Sequence, residues 1–156
     1  MSTTLKQKPV AQASMLIRRS AREVYEAIVD PAITTLFWFT KSSGRLEADA
    51  NIRWDWEMYG VGTDVRVLEL EPEKRIVFEW SAPAATRVEW TLTPHGDIGA
   101  YVEVVESGFH GDGDALVHQA LDSTGGFTMV LCAMKAWLEH GIVLHVVADK
   151  APPQDG

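Results

Sequence analysis

Ile76-Val77-Phe78-Glu79-Trp80 is the stretch that decides the fold of this chain, and Trp54-Asp55-Trp56 and Val88-Glu89-Trp90 repeat its logic. Large apolar side chains recur at every second residue. Strand side chains alternate faces, so Trp54, Trp56, Phe78, Trp80 and Trp90 are expected to line one side of a curved antiparallel sheet. A face carrying that many indoles is either a heavily packed core or the wall of a cavity. Which of the two it is decides what the chain does.

Turn signals punctuate the region around these strands: Asp49-Ala50-Asn51, Tyr59-Gly60-Val61-Gly62, Glu71-Pro72-Glu73-Lys74, Ala82-Pro83-Ala84 and Pro94-His95-Gly96-Asp97. Short connections of this kind make an antiparallel meander, here of five or six strands. Upstream, residues 10–19 read as a first strand. Ser20-Ala21-Arg22-Glu23 matches a capping box, and Val24, Ala27 and Ile28 give the short helix that follows its apolar stripe. Asp30-Pro31 opens a second short helix, expected to run to about Phe37, because proline at the first helical position has no amide to lose. From about Ala115 the periodicity becomes helical. Phe127, Leu131, Met134 and Leu138 form one stripe, widened by Met129, Cys132, Ala133 and Ala136. Gly141 is expected to end or bend this helix ahead of residues 142–147.

The order is therefore strand, two short helices, a run of strands, and one long helix. Only that last helix is long enough to cover the apolar face of the sheet. The expected class is α+β, a curved antiparallel sheet wrapped around the C-terminal helix, with the two short helices closing one end and a cavity between sheet and helix. Residues 1–9 read as a flexible leader, 10–150 as a single domain and 151–156 as a disordered tail.

The bulk properties narrow the partners. A chain of 156 residues, 46% hydrophobic and 23% charged, is one domain of ordinary soluble composition. Its formal net charge of -8 argues against nucleic acid and anionic membranes. The basic cluster Arg18-Arg19-Ser20-Ala21-Arg22 is short and reads as solvated surface. A single cysteine, Cys132, excludes an internal disulfide and fits a reducing compartment; its apolar helical setting predicts an inert, buried thiol. Residues 1–13 lack the apolar core of a signal peptide. The apolar run 127–147 is interrupted by Lys135, Glu139, His140 and Gly141, so it is not expected to span a membrane. The expected location is the cytoplasm.

The element order resembles the helix-grip fold of the START and polyketide-cyclase (SRPBCC) superfamily, and most of all the branch named for the activator of heat-shock-protein-90 ATPase homologues. The resemblance is carried by Ile17 with Ser20-Ala-Arg-Glu-Val24-Tyr25, Asp30-Pro31, Trp38, Leu68-Glu-Leu-Glu-Pro72 and Arg75-Ile-Val-Phe-Glu-Trp80. It continues through Val88-Glu-Trp-Thr-Leu-Thr-Pro94, Glu106-Ser-Gly-Phe109, and Gly125-Gly-Phe127 as far as Leu138-Glu139, covering roughly residues 12–150. It implies a fold and a cavity more firmly than an activity, since members of the superfamily act as lipid or hormone carriers, cyclases, hydrolases, stress factors or chaperone regulators. The single compact domain expected here would be without the extra domain on which true co-chaperones of this class also rely, so the resemblance does not by itself imply chaperone binding.

The candidate ligand-binding wall comprises Trp54, Trp56, Met58, Phe78, Trp80 and Trp90 from the sheet, with Phe127, Leu131 and Met134 from the helix; the alternative is that these side chains interlock as core. Val102, Val104 and Glu106 share one face of the last strand. A carboxylate among inward valines is desolvated, which suits a general base or a ligand hydrogen-bond partner. The bland alternative, which the sequence favours slightly, is a strand-end glutamate reaching solvent or an arginine. His110, beside Gly111-Asp112-Gly113, is a candidate acid-base group at the cavity mouth or an ordinary loop histidine. Asp114, His118 and Asp122 stand at i, i+4 and i+8; solvated helix pairs are commoner than metal ligands at that spacing, and no metal or cofactor is expected. Arg53, Asp55 and Glu57 alternate with the tryptophans and are expected on the outer surface.

The leading expectation is a binder of a small hydrophobic or aromatic molecule, with a cyclase or hydrolase using Glu106 or His110 for proton transfer as the rival. A homodimer and a chaperone are further candidate partners, neither carried by a feature such as a coiled-coil seam.

Overall fold

The computed structural model describes residues 5–81 and 85–152. The turn at 82–84, and the outer parts of the expected leader and tail, lie outside the described residues. Seven antiparallel strands form one sheet: β1 (Ala11–Ile17), β2 (Lys41–Ser42), β3 (Asn51–Trp56), β4 (Val61–Glu71), β5 (Arg75–Trp80), β6 (Thr86–His95) and β7 (Gly99–Ser107). Their order across the sheet is β1-β7-β6-β5-β4-β3-β2. Helices α1 (Ala21–Val29) and α2 (Pro31–Thr34) connect β1 to β2, and α3 (Gly113–His140) crosses the concave face before a final short α4 (Val146–Asp149). This is the α+β helix-grip architecture. Among the described residues no helix is long and apolar enough to cross a membrane.

Local chemistry sets the boundaries. Ser20 Oγ caps α1 by accepting from the Glu23 amide at 3.2 Å; its hydroxyl also lies 3.4 Å from Glu23 Oε1, so the glutamate closes the box side chain to side chain. Asp30 caps α2 through the Ala32 amide at 3.0 Å. That helix stops at Thr34, short of Phe37, for a packing reason. Phe37, Trp38 and Phe39 are all buried, and a continuing helix could not turn three consecutive side chains into one core. The buried Thr34 hydroxyl donates to the Ala27 carbonyl at 2.7 Å, pinning α2 to α1.

β4 carries a phase change. Thr63, Val65 and Val67 face inward, the register then shifts between Val67 and Glu69, and Leu70 takes the inward position opposite Ile76. The irregularity throws Leu68 outward and bends the sheet around α3. At the far edge, Gly99 (φ 157°) lets β1 and β7 close tightly: a Cβ there would stand 2.0 Å from the Ile17 carbonyl oxygen.

α3 begins at Gly113, two residues before the periodicity does, because Asp112 accepts from the Ala115 amide. It ends at Gly141, whose φ of 65° is the left-handed cap conformation. Phe127, Leu131 and Met134 are buried as the stripe requires, with Leu138 at its edge. Cys132 departs from expectation. It is exposed, because one step past Leu131 and two short of Met134 is the outer face of a helix whose inner stripe those residues occupy. Residues 142–145 are irregular and exposed rather than helical, so Ile142, Val143 and Leu144 lie at the surface.

One ion-pair cluster ties the end of α3 to the β1–α1 junction. Glu139 Oε2 accepts from the Arg18 amide at 2.8 Å and from Lys135 Nζ at 2.6 Å, while Lys135 also donates to the Leu16 carbonyl at 3.0 Å. Burial acts against the Glu139 charge, but the Arg18 amide and Lys135 together outweigh it and hold the carboxyl below its usual range. A lowered folded pKa contributes stability that is present above the unfolded value, near 4.5, and is lost as pH falls through the folded one. Glu139→Gln is therefore expected to lower stability at pH 7 by about 1.5–3 kcal/mol. Its stability should also decline less than the wild type's below pH 4.5, measured by urea unfolding across pH.

Candidate functional site

The tryptophan face exists as the alternation requires, and it divides into two populations. Trp54, Phe78 and Trp90 are sealed, at 1%, 0% and 0% exposure, whereas Trp56 and Trp80 are half-buried. Trp38 joins them from the segment after α2 and forms the hub of the cluster. Its ring centroid lies 5.1 Å from Trp54, 5.9 Å from Trp80, 5.8 Å from Trp90 and 5.9 Å from Phe127. Trp80 stacks on Phe127 of α3 at 5.8 Å and 18°, so sheet and helix meet through that ring pair.

Beside this stack a hollow of about 460 Å³ remains open. The sheet side is Trp56, Trp80 and Val61, with Trp38 at the inner end; the helix side is Ser123, Gly126, Phe127, Met129 and Val130. Tyr59, Val147 and Lys150 close over it. The Tyr59 hydroxyl donates to the Val147 carbonyl and, at 3.2 Å, to that of Ala148. Lys150 and Asp122, both at the mouth, stand 3.7 Å apart as an exposed ion pair. The walls are thus mainly aromatic and aliphatic, with the Ser123 hydroxyl among them, and the charge is confined to the rim.

Of the sequence-expected wall, Trp56, Trp80 and Phe127 line this hollow. Trp54, Phe78, Trp90, Leu131 and Met134 lie behind it as core. Met58 follows the end of β3 on a single 3₁₀ turn (Glu57–Tyr59), which breaks the alternation. It faces a second, smaller hollow of about 290 Å³ under Val143 and Val146. Trp38 and Gly126 were not anticipated as wall. The signal for Trp38 was the run Phe37-Trp38-Phe39, which no surface turn would carry. Gly126 lines the hollow from mid-helix, where an added Cβ would meet no atom within 4 Å.

Glu106 is 3% exposed and faces inward with Val102 and Val104, not toward solvent or an arginine as slightly favoured from sequence. The parity of β7 decides this, because Val105 pairs on the other face with Glu89. Glu106 Oε2 accepts from Trp80 Nε1 at 2.8 Å and from the Thr86 hydroxyl at 2.5 Å, while Oε1 has no hydrogen-bond partner. His110 is exposed, its Nε2 2.9 Å from the Ala85 carbonyl and its own carbonyl accepting from Gln119; it does not line the hollow. Asp114 and His118 lie exposed on α3, and Asp122 pairs with Lys150. Arg53, Asp55 and Glu57 lie on the outer side, where Arg53 reaches Asp55 and Asp64 at 3.4 Å each.

Among curated proteins none matches the chain. Solved structures do. A protein from Staphylococcus saprophyticus, SSP2350, is 27% identical with a TM-score of 0.74, the alignment covering 86% of this chain and 95% of that one. DynU16, from the dynemicin biosynthetic locus, is 22% identical with a TM-score of 0.73, over 88% of this chain and 49% of that one. The Aha1 dimer from Colwellia psychrerythraea is 20% identical with a TM-score of 0.71, over 85% and 97%. The latter two likenesses speak for the fold alone. The family model described as Activator of Hsp90 ATPase homolog 1-like protein matches residues 18–139, from the end of β1 to the last turn of α3, and the chain belongs to that family.

Proposed function

We propose that the protein binds a small apolar or aromatic molecule in the hollow between β3–β5 and α3. One observation carries this reading. Although five indoles and Phe127 pack against one another, Trp38, Trp56 and Trp80 still leave about 460 Å³ unfilled beside them. The hollow opens to solvent, so its half-buried indoles leave apolar surface facing water that a small apolar molecule would cover. Burial of apolar ligand surface would drive binding at about 25 cal/mol per Å² before ordering costs. Proton transfer by Glu106 or His110 has less support, since neither side chain lines the hollow.

Intrinsic tryptophan fluorescence tests the proposal, titrated with naphthalene, biphenyl, 2-naphthol and 4-phenylphenol. Saturable quenching that weakens in Trp80→Ala but persists in Trp137→Phe supports it, because Trp137 does not line the hollow. A flat response to all four overturns it. The Tyr59 hydroxyl holds the α4 segment over the hollow, so Tyr59→Phe is expected to speed ligand release. The change is about five-fold, the factor that one hydrogen bond of about 1 kcal/mol represents; stopped-flow displacement would measure it.

A further inference from the structure

Among the described residues, two buried side-chain polar atoms have no hydrogen-bond partner, Glu106 Oε1 and Trp90 Nε1, both on residues behind the cavity wall. One accepts and the other donates. Their residues occupy neighbouring strands, where Val88 pairs with Glu106 and Trp90 with Val104. Trp90 and Glu106 are therefore diagonal neighbours on the same inward face, within reach of long side chains across an antiparallel pair. Buried polar groups are ordinarily satisfied, so an unpaired acceptor and an unpaired donor at one diagonal need an explanation.

The rings that separate them from the open hollow are themselves cavity wall. Trp90 meets Trp38 at 5.8 Å and Phe127 at 5.9 Å. Glu106 is bonded to Trp80 Nε1, whose ring forms the wall of the hollow. Each of the two residues thus touches a ring of the cavity wall. Apart from the charged rim and the hydroxyls of Tyr59 and Ser123, the remainder of the site is apolar.

We propose that Glu106 Oε1 and Trp90 Nε1 form a polar subsite for a hydroxyl group of the cavity ligand, reached when the Trp80–Phe127 ring pair parts. A hydroxyl donates to Glu106 and accepts from Trp90, satisfying both orphans with one atom. The ligand class is accordingly a hydroxylated aromatic molecule, a phenol rather than a plain hydrocarbon. Thr86 keeps hold of the other carboxylate oxygen when Trp80 moves, so Oε1 remains the free acceptor. The inference rests on the cavity reading proposed above and specifies the ligand's chemistry.

Calorimetric titration of the full chain with 4-phenylphenol, biphenyl and 4-methoxybiphenyl tests it. The phenol is expected to bind at least about ten-fold tighter than either the hydrocarbon or the ether, the ether lacking the donor. Glu106→Gln keeps an oxygen for Trp80 and Thr86 but presents an amide donor in place of Oε1. It should erase the preference for phenol over ether. Equal binding of phenol, ether and hydrocarbon by the wild type overturns the subsite and leaves the cavity standing, with a buried water satisfying the two orphans instead. A phenol preference that survives intact in Glu106→Gln also overturns it. Binding of none of the three overturns the cavity and the subsite together. Ser123→Ala keeps the test decisive even if Glu106→Gln fails to fold: a phenol preference that survives removal of this wall hydroxyl supports the subsite, and one that disappears with it overturns the subsite.

Discussion

Trp90→Ala is expected to lower folding stability by about 3–5 kcal/mol. Trp90 is fully buried on β6, touching Trp38 from the α2 side and Phe127 from α3, so its removal opens a cavity where three segments meet. The sealed rings around it belong to one interlocked cluster, which leaves little room for collapse into the void. Trp90→Phe should cost much less, because it retains a ring and removes an indole N–H that has no partner. Trp56→Ala should also cost less, since Trp56 is half-buried and borders a space that is already empty. Urea unfolding of the three variants measures the ordering. Equal losses at positions 56 and 90 would mean that wall and core are not distinct.

The second large effect runs the opposite way, on binding instead of stability. Gly126→Phe is expected to weaken binding of 4-phenylphenol at least ten-fold while leaving stability unchanged or raised. A side chain at position 126 has open space at its Cβ and projects into the hollow from the α3 wall. The substitution also removes glycine from mid-helix, where it costs roughly 1 kcal/mol relative to a good helix former. A plug that folds well and fails to bind separates cavity occupancy from integrity of the fold, which truncation of a wall tryptophan cannot do. Gly125→Ala, on the exposed side of the same helix, serves as the control: it should gain helix stability without touching affinity.

Much of this architecture is legible in the residues because its signals are local. Alternation around Ile76, Phe78 and Trp80, the cap at Ser20, the proline after Asp30 and the glycine at 141 each act within a few residues, and each leads to the element observed. Met58 shows where such reasoning stops. Alternation from Trp54 and Trp56 places it on the wall, but the 3₁₀ turn that begins at Glu57 rotates it toward another hollow. Cys132 shows a second limit. A helix rich in apolar residues does not bury all of them, and the phase of the stripe, set by Leu131 and Met134, leaves the thiol outside.

The division of the indoles into wall and core was not legible either. Alternation assigns a face, and all five strand aromatics do share it. Which of them border empty space depends on Trp38, brought in from a different part of the chain, and on the absence of a side chain at Gly126. Glu106 lies between these cases. Its parity with Val102 and Val104 pointed inward, and the uncertainty raised by Val105 is removed only by the pairing of that residue with Glu89 on the opposite face.

The most direct measurement is a crystal structure of the protein soaked with 4-phenylphenol. Density for the biaryl is expected between Trp80 and Met129, beneath Val147, with its hydroxyl directed past the Trp80–Phe127 pair toward Glu106. An unoccupied hollow at saturating probe, or a hollow closed by Trp56 and Trp80 packing onto Val130, would contradict the ligand-binding reading and return the whole aromatic face to the core.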